Sequence, residues 1–590
     1  AWIAEGDQAS AEFGTSLSVA GDVNGDGYSD LIVGAYRYDR GQTDEGRAFV
    51  YHGSPAGLAA ADAWNAESNQ DSASFGYSLS AAGDVNGDGY GDVIIGAPYY
   101  DSGQTNEGQV FVFNGAATGL SSSPDWTAQS NQSSALFGYS VNTAGDVNGD
   151  GYSDVIVGAI QYNNGESGEG RAYVYHGSTS GLDSNPNWMA ESNQVNALLG
   201  FAVSTAGDVN GDGYSDIIVS AYRYDNGETD EGLVYVYYGG LTGLATDPAW
   251  NAEGNQGDAL FGWSVATAGD VNGDGYSDII VGAVYYSNGE TLEGRAFVYH
   301  GSPAGLSNTA DWTAESDQAY AAFGYAIDTA GDVNGDGYSD VIIGAPYFSN
   351  LETDEGRVYV YHGGLTGLAT NPNWTSESDQ PSAHMGTAVR TAGDVNGDGY
   401  SDVIVGASTY TNGETGEGRA YVYRGSTDGV STAADWTAEG NQAFASFGCS
   451  VDTAGDINGD GYSDVIVGAS QYDNIEINEG RAYVYYGNAG DGLHLRPQQL
   501  HSDGSALIAH LGTSDSHAAF QLSLIGRMPL GRGDVRLQWQ VAPLGVPITG
   551  TGIISGTSGW TDVLTTGAEI TQTVTGLSPD TPYHWRVRLL

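Results

Sequence analysis

The sequence predicts an all-β protein: an eight-bladed β-propeller whose N-terminal strand closes the last blade, followed by a second, β-sandwich-like domain. Three observations carry this. The string DVNGDGYSD begins at Asp22 and returns, with one or two letters changed, at Asp84, Asp146, Asp208, Asp270, Asp332, Asp394 and Asp456, always 62 residues on. A tryptophan opens a second recurring string at Trp2, Trp64, Trp126, Trp188, Trp250, Trp312, Trp374 and Trp436. No window shows apolar residues sustained at helical spacing, so the units are not helical hairpins.

Within the unit from Phe75 to Trp126, the runs FGYSLSAAG, DVIIGAP, QVFVFNG and DWTAQS alternate or are β-branched, and Gly, Asn and Asp clusters separate them. They read as four strands. A four-stranded unit of this length cannot bury both sheet faces alone, so units stack radially as blades or linearly as a solenoid. The ends decide between the two. The array opens on a lone strand at Trp2 and finishes on three strands, FGCSVDTAG, DVIVGAS and RAYVYYG, with no Trp partner. The segment around Trp2 therefore completes the blade built from Phe447 to Tyr486. The single cysteine, Cys449, leaves this closure without an internal disulfide.

Residues 1–492 form the propeller and 493–590 the second domain, where the period stops and strand-like runs AAFQLSLIG, RLQWQVAP and ITQTVTG continue. Composition narrows the function. The chain carries 74 acidic and 17 basic residues, a formal net charge of -57, and every basic residue is Arg. Without lysine there is no P-loop, no Schiff base and no lysine general base. Phosphate backbones and anionic lipid surfaces repel such a chain, which sets aside nucleic-acid binding and membrane docking. No apolar run of about 18 residues predicts membrane insertion of this fragment, and AWIAEGDQ has no leader pattern, which places any signal or anchor outside it.

The nonapeptide has the chemistry of a hard-cation loop. Asp22, Asn24, Asp26 and Asp30 offer side-chain oxygens at positions one, three, five and nine, and Tyr28 offers its carbonyl at seven. An all-oxygen set of six or seven ligands suits Ca²⁺ better than the strictly octahedral Mg²⁺. Gly25 and Gly27 permit the tight turn. Position twelve is Val33, not the acidic residue an EF-hand requires. The equivalent sets are Asp84, Asn86, Asp88, Tyr90 and Asp92; Asp146, Asn148, Asp150, Tyr152 and Asp154; Asp208, Asn210, Asp212, Tyr214 and Asp216; Asp270, Asn272, Asp274, Tyr276 and Asp278; Asp332, Asn334, Asp336, Tyr338 and Asp340; Asp394, Asn396, Asp398, Tyr400 and Asp402; and Asp456, Asn458, Asp460, Tyr462 and Asp464. Eight ions would bring the formal charge from -57 to about -41, so metal binding is expected to be part of folding energy.

The sequence FGYS, DVNGDGYSD and VIIGAP, as in Phe75 to Pro98, resembles the FG-GAP repeat of integrin α-subunit propellers, over roughly residues 1 to 490. The resemblance implies calcium in the hairpin loops joining the first two strands of each blade, a ligand surface on the opposite face, and adhesion or recognition. Eight units stand here where integrin propellers have seven blades, and every unit carries the loop. The near-identity of the units resembles secreted bacterial or archaeal arrays.

On the face opposite the loops, an aromatic recurs at Tyr38, Tyr100, Tyr162, Tyr224, Tyr286, Phe348, Tyr410 and Tyr472. It reads either as packing between blades or as a glycan or peptide surface. AYRYD occurs twice and places Arg37 and Arg223 beside Tyr38 and Tyr224, a candidate site for an anionic group. The Arg of EGRAYVY, as in Arg171 and Arg481, reads as a partner of local carboxylates, and His52, His176, His300 and His362 interchange with other residue types, against a ligand role. His494, His501, His510 and His517 read as linker histidines, and the RGD at Arg532 to Asp534 as coincidence. LSPDTPYHWRVR, from Leu577 to Arg588, resembles the fibronectin type III corner, with the chain ending one strand short.

The expected function is therefore an extracellular, calcium-loaded adhesion or recognition module that does no catalysis and takes a protein or glycan ligand. A multivalent lectin is the alternative. A polysaccharide lyase or hydrolase on a propeller is the third reading, against which stands the absence of long symmetry-breaking loops.

Overall fold

The computed structural model describes residues 1–488 continuously and, beyond them, 498–502, 516, 518–526, 533–543, 553–563, 568–578 and 583–589. In the first unit the strands Leu17–Gly21, Asp30–Ala35, Arg47–Tyr51 and Trp64–Glu67 pair antiparallel in chain order. The same four-stranded sheet recurs eight times. Each second strand is buried along its whole length, because adjacent blades cover both faces of the sheet, which is why these runs are unbroken Val, Ile and Leu rather than alternating.

The last sheet runs Trp2–Glu5, Arg481–Tyr485, Asp464–Ala469 and Phe447–Gly455, with Trp2 opposite Val484 and Glu5 opposite Arg481. The N-terminal strand thus fills the outer place of the eighth blade, as the unmatched ends predict. Neighbouring inner strands touch all the way round, Leu17–Gly21 meeting Phe447–Gly455 at the seam. There the N–H of Ser29 donates to the carbonyl of Asp456 at 3.1 Å, and Ser450 Oγ donates to the carbonyl of Gly14 at 2.7 Å.

The core is a ring of eight apolar clusters, each shared by two blades. One joins Ile32, Val50 and Trp64 of the first unit to Phe75, Ile95, Phe111 and Phe113 of the second. The seam has the same composition: Trp2, Ile466, Ala482 and Val484 pack on Leu31, Val33, Phe49 and Tyr51. Trp2 donates Nε1–H to the carbonyl of Ala59 at 2.7 Å and sets its ring edge-on to Tyr51 at 4.5 Å. Trp64 repeats both contacts with Ser121 and Phe113. The recurring tryptophan is therefore an inter-blade staple, with its polar N–H satisfied as burial requires.

Beyond the propeller, the sheet of Gln498–Leu500, Ala519–Gly526 and Ala568–Thr575 and the sheet of Ile554–Thr557, Leu537–Pro543 and Tyr583–Leu589 share one cluster containing Phe520, Leu522, Leu537, Trp539 and Val541. The Ser578 N–H donates to the Tyr583 hydroxyl at 2.8 Å, the upstream contact that a tyrosine corner makes. The boundary at 492, His494, His510, His517 and Arg532 lie outside the described residues. Among the described residues no helix is long and apolar enough to cross a membrane.

Candidate metal loops and a ligand face

Each nonapeptide forms the turn between the first and second strands of its blade. Its polar atoms fold inward. Asp22 Oδ1 accepts the N–H of Asp26 at 3.0 Å and Oδ2 that of Gly27 at 2.8 Å; Asn24 Oδ1 accepts Asp26 N–H at 2.9 Å; Asp26 Oδ1 accepts Tyr28 N–H at 3.1 Å. The same bonds recur in the later loops, for example at Asp146, Asn148 and Asp150. Asp30 starts the buried second strand, and its two oxygens accept the N–H of Gly53 at 2.8 Å and of Val23 at 2.9 Å. That carboxylate pins the hairpin loop to the neighbouring turn of its own blade.

Burial pushes Asp30 up to about 7, with the two backbone N–H bonds opposing the shift and Asp26 and Asp22 adding to it. Asp402 is pushed to about 8 for the same reasons. A carboxylate so far from water, beside two more, lacks a positive partner of its own. The donor set fits a hard cation: all side-chain donors are oxygens, and although Oδ1 of Asp146 and its like accepts two N–H groups, the oxygens that accept one, such as Asp22 Oδ2, keep a second lone pair.

Gly25 and Gly27 have φ of +70° and +92°, where a β-carbon is strained. At Gly25 the reason is also steric, since a β-carbon would lie 2.4 Å from Cε1 of Tyr90 in the next loop. Tyr28 lies in the same way over Gly459 at the seam. The tyrosine is more than a source of a carbonyl: its ring joins each loop to the one before.

The four candidate ligand-binding residues divide. Tyr38 and Tyr224 are half-buried and pack against the inter-blade clusters, Tyr38 edge-on to Phe49 at 5.9 Å, with the Arg47 guanidinium 5.1 Å over its ring. These contacts support the packing reading of that aromatic position. The turn after the second strand sets the ring there, the Tyr38 N–H returning to the carbonyl of Ala35 at 3.0 Å. Arg37 and Arg223 are exposed. Arg37 pairs with Glu12 at 2.9 Å and lies 5.3 Å over Tyr36, and Arg223 lies 5.4 Å over Tyr222.

The Arg of EGRAYVY is structural, as expected: Arg171 pairs with Glu191 and stacks 3.8 Å over Tyr162. The recurring histidines pack against glycines of the next blade, His52 on Gly119 and His176 on Gly243, and burial lowers both pKa values.

Two features were not anticipated from the sequence. The residue after the glycine that leads into the first strand is aromatic in five consecutive units, and these rings form an unbroken arc: Tyr77 to Tyr139 at 5.3 Å, Tyr139 to Phe201 at 5.9 Å, Phe201 to Trp263 at 5.5 Å and Trp263 to Tyr325 at 5.9 Å. Tyr36 extends one end at 5.7 Å from Tyr77, and Tyr347 the other at 6.4 Å from Tyr325. All five arc residues are half-buried, and the matching positions in the other units are Thr15, Thr387 and Cys449. Because they start the inner strands at the end away from the metal loops, the arc borders the channel on the opposite face. The signal was present in FGYS, FGYS, LGFA, FGWS and FGYA, but nothing local says that this letter faces the channel.

Deeper in the channel, Arg390 Nε stands 3.7 Å from Asp328 Oδ2, and the field of Arg390 also reaches Asp452. The five other units carry Ser18, Ser80, Asn142, Ser204 and Ala266 at this position. Burial raises Asp328 and takes Asp452 to about 6, with Arg390 opposing both.

Eight segments, 13–51, 75–113, 137–175, 199–237, 261–299, 323–361, 385–423 and 447–485, match the FG-GAP repeat, together more than half of the chain. The chain is 36% identical over 222 residues to integrin alpha-V of Gallus gallus, covering 36% of this chain and 20% of the relative. It is 35% identical over 252 residues to integrin alpha-PS2 of Drosophila melanogaster, covering 39% and 17%. It is also 27% identical over 394 residues to phosphatidylinositol-glycan-specific phospholipase D of Homo sapiens, covering 58% and 45%. The chain thus spans about a fifth of the integrin relatives and under half of the phospholipase.

Proposed function

The chain belongs to the FG-GAP repeat family, and on that premise we propose that it is an extracellular adhesion or recognition module, stabilised by calcium in its eight hairpin loops and doing no chemistry of its own. Integrin α subunits among its relatives support the adhesion reading. In each loop the ion is held by the side chains at positions one, three, five and nine and the tyrosine carbonyl, as by Asp22, Asn24, Asp26, Asp30 and Tyr28. Calcium supplies the positive charge that the buried carboxylates lack.

The observation that carries the recognition reading is the arc from Tyr77 to Tyr325, five half-buried rings lining one side of the channel mouth. Aromatic faces of this kind take a sugar ring or an apolar side chain with little loss of conformational freedom. The arc breaks the eightfold symmetry, so the ligand is held once per ring and not eight times, which sets this reading apart from the multivalent lectin. A glycan array and a panel of matrix proteins, probed with the calcium-loaded chain, test it: binding should fall at least tenfold in Trp263→Ala and stay unchanged in Arg424→Ala on the opposite rim. Equal binding by both variants, or none by the unaltered chain, sinks the proposal.

The relation to a phospholipase D supports a second reading, in which this propeller belongs to a longer enzyme. Release of a phosphatidylinositol-glycan-anchored protein from vesicles distinguishes the two. No release is expected.

A further inference from the structure

The strand Trp2–Glu5 is joined to its blade across 476 residues of sequence, as measured from Glu5 to its ion-pair partner Arg481. At that junction Glu5, Asp7 and Glu479 each bring one carboxylate oxygen within 4.8 Å of the others. Glu479 precedes the strand Arg481–Tyr485 and is only 1% exposed. Its carboxylate takes the backbone N–H of Asn474, while its Oε1 is buried without a hydrogen-bond partner. Glu5 is bonded by Asn474 Nδ2 at 2.8 Å and by the Arg481 guanidinium. Asp7 faces solvent.

We infer that Glu5, Asp7 and Glu479 bind a calcium ion that clasps the N-terminal strand to the eighth blade, a site separate from the hairpin loops. An orphaned oxygen on a buried carboxylate is rare in folded proteins and marks a place where water or an ion belongs. Charge selects the ion. Three carboxylates face one guanidinium, and a divalent cation balances the remainder. Coordination flexibility selects the element, because Ca²⁺ accepts six to eight oxygens in loose geometry, whereas Mg²⁺ demands a near-ideal octahedron. The solvent side at Asp7 leaves room for the waters that complete six to eight ligands. Ile3 to Asp7 also line a groove of about 480 Å³ against Tyr38, Arg47 and Phe49 of the first blade.

Comparison among the repeats sharpens the assignment. Glu45, Glu107, Glu169 and Glu293 have the same orphaned oxygen; the first three units place Asn69, Asn131 and Asn193 where Asp7 stands, and the fourth places Asp317. Two carboxylates and an amide suit a water. Glu355, Glu377 and Asp379 repeat the three-carboxylate cluster in the sixth blade. The seam differs from it in consequence, since there the ligands come from opposite ends of the propeller.

Crystals of the full chain grown with Ca²⁺ and exchanged into Mn²⁺, followed by anomalous difference maps, test the site. The expected result is a peak bonded to Glu479 Oε1 and to the carboxylates of Glu5 and Asp7, lost in Asp7→Asn. That variant installs the residue that five other repeats carry, so it keeps the fold. Hydrogen exchange supplies a solution readout: the Ala4 and Gly6 amides, the latter bonded to the Gly480 carbonyl, should exchange about tenfold faster in calcium-saturated Asp7→Asn than in the unaltered chain, with Asp154–Ala159 unaffected. No peak between the three carboxylates, or equal exchange in the two proteins, overturns the inference. Peaks in the hairpin loops report separately on the calcium reading of those loops.

Discussion

The ring of Tyr90 covers Gly25 so closely that a β-carbon at residue 25 would lie 2.4 Å from its Cε1. One residue belongs to the first hairpin loop and the other to the second, so the loops are packed to one another around the rim. A change in one loop is felt in the next.

Gly25→Ala is therefore expected to destabilise the calcium-loaded protein by about 1–3 kcal/mol, through the positive φ and the clash together. Tyr90→Ala in the same chain should restore part of the loss and leave the share due to φ. Denaturant melts of the two single variants and the double variant measure the coupling; full additivity would show that the ring and the glycine do not meet.

Chelation should lower the melting temperature steeply, because each loop then packs three carboxylates with no cation between them. Asp150→Asn should remove one ion from the count by elemental analysis and weaken the third blade first. An unchanged melt in excess chelator would count against calcium as part of the folding energy.

Without calcium, stability should fall as pH rises. Asp30, Asp92, Asp154, Asp216, Asp278, Asp340 and Asp464 are pushed to about 7 and Asp402 to about 8, above the ordinary carboxylate value near 3.8, by burial before any other cause. A raised acid binds its proton more tightly folded than unfolded, so its contribution is complete below about 3.8 and is lost as pH climbs through about 7. Calcium titrations should show the mirror image, with affinity weakening from pH 8 to pH 6 as protons compete. Calorimetric melts of the chelated protein between pH 4.5 and 8 check the sign.

Trp2→Ala should cost more than Trp250→Ala. Both rings are buried, and each donates a 2.7 Å hydrogen bond to the following blade, so each loses about 3–5 kcal/mol of local packing. Trp2 alone sits on a strand that joins its blade across the ring by noncovalent contacts, and its loss exposes the edge of Arg481–Tyr485 to pairing with another molecule. Thermal melts and light scattering of the two variants separate ring opening from a local cavity.

Much of this protein is written in short segments. Strand runs, loop ligands and the constant step are local signals, and the unmatched Trp2 told which strand completes the eighth blade. Tyr38 and Tyr77 show the limit. Both are half-buried single aromatic letters at element ends, yet Tyr38 packs against Phe49 beside an inter-blade cluster while Tyr77 stacks toward Tyr139 along the channel. No period-two or turn rule separates them, because the difference lies in which neighbouring blade each ring meets.

By itself the sequence determined the all-β class, the eight units, the closing strand and the oxygen-rich loops, since each depends on residues within one repeat or on the count of repeats. The tertiary structure alone decided that Tyr90 caps Gly25, that five aromatics share one mouth of the channel, and that Glu5, Asp7 and Glu479 converge. Those relationships join residues one repeat or a whole ring apart, and side-chain burial is set by the blade that packs across, which the chain's local pattern does not encode.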